Sequence, residues 1–210
     1  MEKYVVTINR MCGCGGVQVG ESLSRKLHIP MYDKKLLRMA SDDSGIDENL
    51  FARADEKLRA TPLFRITRKV YSGELIRPQS GDFTSDHNLF NYQAKVLREL
   101  ANQESCIVIG RCADYILKNH PRIVRVFITA DEETCAVRET ERYGISMKEA
   151  YEKCERKNKE RANYYKYYTD QTWCHAGNYD LCLNSSHLSY DECADMIVDY
   201  MEKRFGEKFV

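Results

Sequence analysis

Residues 4–16 read Tyr4-Val5-Val6-Thr7-Ile8-Asn9-Arg10-Met11-Cys12-Gly13-Cys14-Gly15-Gly16, and this stretch decides the fold. Its first five residues are β-branched or aromatic and predict a strand. Beyond Gly16, Val19, Leu23 and Leu27 recur at helical spacing, so a helix follows the glycines. Strand, glycine-rich turn and helix together make a natural phosphate site. Glycine lets backbone N–H groups converge, and the helix N-terminus adds positive partial charge. The plain alternative is a tight strand-to-helix turn with no ligand. The turn's place after the first strand, and the arginines further along, favour phosphate. Gly13, Cys14, Gly15, Gly16, Val17 and Gln18 are then the binding residues.

Outward from this stretch the alternation continues. His28 to Asp33 reads as a short extended segment before another helix, and Asp47 to Leu58 as a further helix. The Gly/Ser/Asp-rich stretch from Ser80 to Asp86 predicts a mobile loop. Leu89, Tyr92, Val96, Leu97 and Leu100 mark one face of an amphipathic helix. Cys106-Ile107-Val108-Ile109 is a continuous apolar run ending at Gly110, as in a strand buried on both faces. A short helix from Ala113 to Lys118 and a strand from Ile123 to Ile128 follow. A long charged helical stretch then runs from Glu132 to Arg161, broken near Gly144. Tyr179 to Leu183 predicts the last strand and Tyr190 to Phe205 the last helix. Strands alternating with helices imply a parallel sheet covered on both faces. Ligands of such sheets bind beyond the carboxyl ends of the strands. There lie Arg10 to Gly16, Gly110-Arg111 and the basic stretch after Ile128. With no internal repeat or domain boundary, residues 1–210 read as a single domain.

Composition narrows the function classes. Lys+Arg and Asp+Glu are both 32, so no global charge recruits nucleic acid or an anionic membrane, and an anion must be met by a local cluster. No run approaches the roughly 18 apolar residues that suggest a membrane span. Met1-Glu2-Lys3 enters the first strand without a signal-peptide layout, so a cytoplasmic chain is expected. The nine cysteines are then reduced. Cys12 and Cys14 lack the partners of a zinc site, and no metal ligand set is expected. Cys106, Cys135, Cys182 and Cys193 read as small core residues. Cys174-His175 has no third partner for nucleophilic chemistry, and His87 and His120 show no ligand spacing.

Four blocks carry a family resemblance. They are Ile8 to Gly16, Pro30-Met31-Tyr32-Asp33, Cys106 to Leu117, and Lys159-Glu160-Arg161-Ala162-Asn163-Tyr164-Tyr165-Lys166-Tyr167-Tyr168. On them the chain resembles the cytidylate-kinase-like family of P-loop nucleoside monophosphate kinases. The resemblance implies an α/β, three-layer P-loop NTPase-type fold with a five-stranded parallel sheet flanked by helices. It adds an acceptor-binding insertion at about 34–88 and a helical lid at about 139–168. ATP and Mg²⁺ would serve as donor, and CMP or dCMP as first-choice acceptor. Asp33 falls where related kinases begin their monophosphate-binding segment, and Arg38 follows on the next helix. Arg111 matches the arginine that helps hold the acceptor. The family's next residue is aspartate, where this chain has Cys112 and carries its acid at Asp114. Arg156 and Arg161 lie where the family's lid supplies arginines to the transferring phosphate.

The loop itself departs from the usual G-x-x-x-x-G-K-[ST] pattern. With Gly15 closing it, Gly16 fills the lysine slot and Val17 the hydroxyl slot; with Gly16 closing it, Val17 and Gln18 fill them. The leading position is then Arg10 or Met11. Phosphoryl transfer needs positioning and positive charge more than covalent chemistry, and arginine forks match phosphate oxygens. Arg10, Arg111, Arg156 and Arg161 are the arginines placed to surround two phosphates. The mixed charges from Lys153 to Arg161 also suit a merely solvated helix. Tyr164 to Tyr168 suits base stacking or, more readily, packing. Three functions remain open: phosphoryl transfer to CMP or dCMP, transfer to another small acceptor, and nucleotide binding with impaired catalysis.

Overall fold

The computed structural model describes residues 2–33, 35–60 and 73–209. The expected insertion at 34–88 is thus described in part, since residues 34 and 61–72 lie outside these ranges. Five strands, β1 (Val5–Arg10), β2 (Met31–Tyr32), β3 (Cys106–Ile109), β4 (Ile123–Thr129) and β5 (Leu181–Asn184), form one parallel sheet. Their order is β2-β3-β1-β4-β5. From β1 the chain crosses to β2 on one side, and from β3 it crosses to β4 on the other. The carboxyl ends of β1 and β3 therefore flank the point where the order reverses, the usual place for a ligand crevice.

Period-two alternation assigns the strand side chains to two cores. On one face Val5, Cys106, Val108, Ile123 and Phe127 meet α2 (Lys35–Ser44), α3 (Glu48–Ala60), α4 (Asp86–Gln103), α5 (Ala113–Ile116) and the far end of α7 (Met147–Thr169). On the other, Val6, Ile8, Ile107, Ile109, Val124, Val126 and Ile128 meet Val19, Leu23 and Leu27 of α1 (Gly16–Leu27). Cys135 of α6 (Glu132–Tyr143) and Ile197 and Met201 of α8 (Tyr190–Phe205) complete that side. Each fully buried aliphatic side chain contributes about 1.5–3 kcal/mol, so this double covering is the main source of stability. Among the described residues no helix is long and apolar enough to cross a membrane.

Differences from the sequence expectations have physical causes. Gly144, in left-handed conformation (φ 65°), ends α6 as expected, and a Ser146–Glu149 capping box starts α7. That helix runs on to Thr169 because Tyr164, Tyr165, Tyr167 and Tyr168 are buried, with the rings of Phe90 and Tyr168 stacked at 3.6 Å. The tyrosine run is core. The stretch from Ser80 to Asp86 is a series of turns, closed by Phe83 N–H to Ser80 O (3.1 Å) and Ser85 N–H to Asp82 O (3.0 Å). Buried Asn88 of α4 ties it down, donating to Phe83 O at 2.7 Å and accepting from Ile76 N–H at 2.8 Å. Cys182 is exposed, against the core reading: β5 is an edge strand, and only Leu183 in it is buried. Cys106, Cys135 and Cys193 are buried.

Candidate functional site

The turn after β1 takes its shape from two glycines. Gly13 (φ 74°) and Gly15 (φ 77°) sit in the left-handed region that side chains disfavour. A Cβ on Gly13 would stand 2.5 Å from the Cys135 carbonyl oxygen, and one on Gly15 would enter the Tyr190 ring. From outside, the Cys14 carbonyl accepts from Ser185 Oγ (2.7 Å) and Arg138 Nη1 (3.3 Å). These bonds hold the turn from its carbonyl side. No acceptor among the described residues takes the N–H groups of Gly13, Cys14 or Gly15. Serine side chains cap α4, α7 and α8, whereas the N-cap of α1 is Gly15, which has no side chain to give. The Gly16 N–H is turned to the Cys14 sulfur, and the positive end of the helix, with Val17 and Gln18 in its first turn, lies at the cleft.

Three guanidiniums converge beside this turn. Arg10 ends β1, and its buried Nε has no hydrogen-bond partner among the described residues. Arg161 of α7 donates from Nη1 to the Arg10 carbonyl at 2.8 Å. Arg111 follows β3 in a run of three left-handed residues, Gly110 (φ 70°), Arg111 (φ 61°) and Cys112 (φ 54°). Ala113 N–H closes that turn on Gly110 O at 3.1 Å. Each non-glycine residue held there costs about 1–2 kcal/mol. Burial pushes the Arg10 guanidinium down to about 9; Arg161 and Arg111 push the same way, and Asp33 opposes them. It stays charged at neutral pH, in a cluster no carboxylate neutralises by an ion pair to Arg10 or Arg161 among the described residues.

All of this faces one cleft of about 720 Å³, a size that suits a nucleotide-sized ligand. Seven basic and four acidic side chains line it, so its balance favours an anion. Arg10, Gly13, Gly15, Gly16, Val17, Gln18, Asp33, Arg111 and Arg161 of the expected residues line it together. Others stand apart. Cys14 is buried beneath the turn. Arg38 is exposed on α2, and Arg156 is exposed and paired with Glu160. Asp114 is buried below the cleft, accepting from Asn9 Nδ2 (2.9 Å) and the Tyr165 hydroxyl (2.6 Å). Burial raises its carboxyl against those bonds, and it ties β1, α5 and α7 together.

Four contributors escape motif reading: Arg138, Arg142, Asn158 and Tyr190. Arg138 and Arg142 are one helical turn apart on α6 and both face the cleft; Arg142 meets the Gln18 carboxamide. Asn158 Oδ1 accepts from Cys12 N–H at 2.8 Å, and Cys154 Sγ lies 3.9 Å from Cys12 O. With Arg161 these make an i, i+4, i+7 stripe of α7 laid along residues 10–12, the one signal that helical periodicity offers for them. Among the described residues no group of three or more His, Cys, Asp or Glu is arranged for a metal ion.

Comparison with known proteins agrees with this architecture. An uncharacterized protein from Eubacterium ventriosum is 26% identical, with 96% of this chain and 100% of that one covered at a TM-score of 0.71. TT1252 from Thermus thermophilus is 16% identical, covering 94% of this chain and 97% of the other at 0.51, a likeness of fold. No match is found among curated proteins. The sequence pattern of the cytidylate kinase-like family matches residues 5–187, with the glycine turn, the arginine after β3 and the α7 stripe all inside that span. On that match and this P-loop α/β architecture, the chain belongs to the cytidylate kinase-like family.

Proposed function

We propose that this protein transfers a phosphoryl group from ATP to a small anionic acceptor, with CMP or dCMP the first choice. The observation that carries the reading is the meeting of Arg10, Arg111 and Arg161 beside an uncapped glycine turn in one cleft. Transfer of a phosphoryl group depends on in-line positioning and on charge around its oxygens, which such a cluster supplies. The donor's phosphates would lie along Gly13 to Gln18. Arg111 and Asp33, at the ends of the β3 and β2 segments, would hold the acceptor, and Arg10 and Arg161 the transferring group. Asp114 would act from below by fixing Asn9 and Tyr165, and Arg38 and Arg156 would join from outside the cleft.

ATP fits this donor set. Mg²⁺ fits it poorly: Val17 stands in the hydroxyl slot, and of the four cleft carboxylates Glu139 is paired with Lys153 (2.7 Å) and Glu160 with Lys157 (2.8 Å), while Asp33 faces the charge of Arg10, which leaves Glu141. A coupled ADP-release assay across nucleoside monophosphates tests the reading. ADP formation above background with at least one acceptor is expected, and no turnover with any acceptor would sink it. Gly16 and Val17 favour a second reading, a nucleotide-binding protein with impaired catalysis. Its mark is ATP, ADP or CMP binding by calorimetry without product.

A further inference from the structure

Gly16 is where this loop differs most from the usual one. A Cβ there would overlap Cβ of Arg10 and stand 2.8 Å from its Cγ. A Cβ on Gly110, across the crevice, would run into Nη1 of the same arginine. Two glycines thus make room for one side chain, which leaves the end of β1, passes over Gly16 and ends against β3. Gly15, left-handed and preceding the first residue of α1, closes the turn. Counting from it, Arg10 occupies the leading-glycine slot of the G-x-x-x-x-G-K-[ST] pattern and Gly16 the lysine slot.

We propose that Arg10 and Gly16 have exchanged roles, so that the guanidinium of Arg10 replaces the loop lysine. With Arg111 and Arg161 it makes an all-arginine receptor whose ligand is the metal-free polyphosphate chain. The inference rests on the reading above only in taking a polyphosphate as ligand. Its supports are geometric. Arg10 fills the space that a side chain at position 16 would need. Its buried Nε has no partner among the described residues, and neither Arg10 nor Arg161 has an ion-paired carboxylate among them. Guanidinium stays charged where burial would neutralise an ammonium, and its fork takes two oxygens at once. A divalent cation would have to enter beside the guanidiniums of Arg10 and Arg161 with no loop hydroxyl waiting for it, and of the cleft carboxylates only Asp33 and Glu141 lack a lysine partner among the described residues.

Calorimetry of the full chain with inorganic tripolyphosphate and with ATP, in EDTA and in excess Mg²⁺, tests the ligand. Affinity in EDTA equal to or tighter than in Mg²⁺ is expected. Binding only with Mg²⁺ overturns the inference and leaves phosphoryl transfer standing; no binding in either medium removes both. A double-mutant cycle tests the exchange. Gly16→Ala should weaken binding in EDTA about tenfold or more in the native background, yet less than about twofold in an Arg10→Gly background. Equal losses in the two backgrounds would refute the exchange. Should Gly16→Ala fail to fold, Arg10→Met decides: it should lose about tenfold or more in EDTA, and unchanged affinity overturns the proposal.

Discussion

Gly13 and Gly15 share a left-handed backbone but meet different neighbours, and that difference separates their mutants. Gly13→Ala drives a methyl into the backbone of Cys135, which cannot yield without moving α6. Gly15→Ala meets the side chain of Tyr190, which can swing aside. Urea denaturation should show about 3 kcal/mol or more lost for the first and about 1–2 kcal/mol for the second. Equal losses would mean that backbone conformation alone decides both positions. At this scale the sequence was informative wherever chemistry interrupts an apolar pattern. Arg10 ends one buried strand and Arg111 comes just after another, where packing has no need of charge. Arg138 and Arg142 sit among the many charges of α6, and only the rotation of that helix selects the two that face the cleft.

The elements were legible because their periods are clean: β1, β3 and β4 are apolar runs between turn residues, and α8 falls where its pattern places it. The length of α7 was less so: the sequence favoured packing for its tyrosines, but only α4 beside them shows that the helix carries them on to Thr169. The edge position of β5, which exposes Cys182, is a property of strand order and not of local sequence. One ion cluster fastens that edge. Asp180 accepts from Arg125 (2.8 and 3.1 Å) and pairs with Arg204 of α8 at 3.1 Å. Burial pushes its carboxyl up, but the Arg125 bonds and the charges of Arg125 and Arg204 outweigh it and hold it below 3.8. A depressed carboxyl contributes stability above its unfolded pKa and loses it as pH falls through the folded value. Asp180→Asn should therefore cost about 1.5–3 kcal/mol near pH 7. In denaturant melts at several pH values the gap to the native protein should narrow below pH 3.8; a pH-independent gap would point to packing instead.

Taken whole, the molecule hides most of its thiols. Cys174 and Cys182 are exposed and the other seven of nine cysteines are buried, none in a disulfide. Thiol titration of the native protein should show two fast-reacting groups, with the rest appearing on unfolding. A third fast thiol, mapped to Cys12 or Cys14, would loosen the picture of a turn wedged between α6 and α8. The left-handed run Gly110-Arg111-Cys112 has a wider consequence. Arg111→Gly should be more stable than Arg111→Ala by on the order of 1 kcal/mol, while both weaken tripolyphosphate binding about tenfold, readable from one set of melts with and without the anion. Among replacements at position 111, a library sorted for heat resistance alone would accordingly favour glycine or asparagine, the residues that tolerate a left-handed backbone, whatever each does to the proposed phosphate contact.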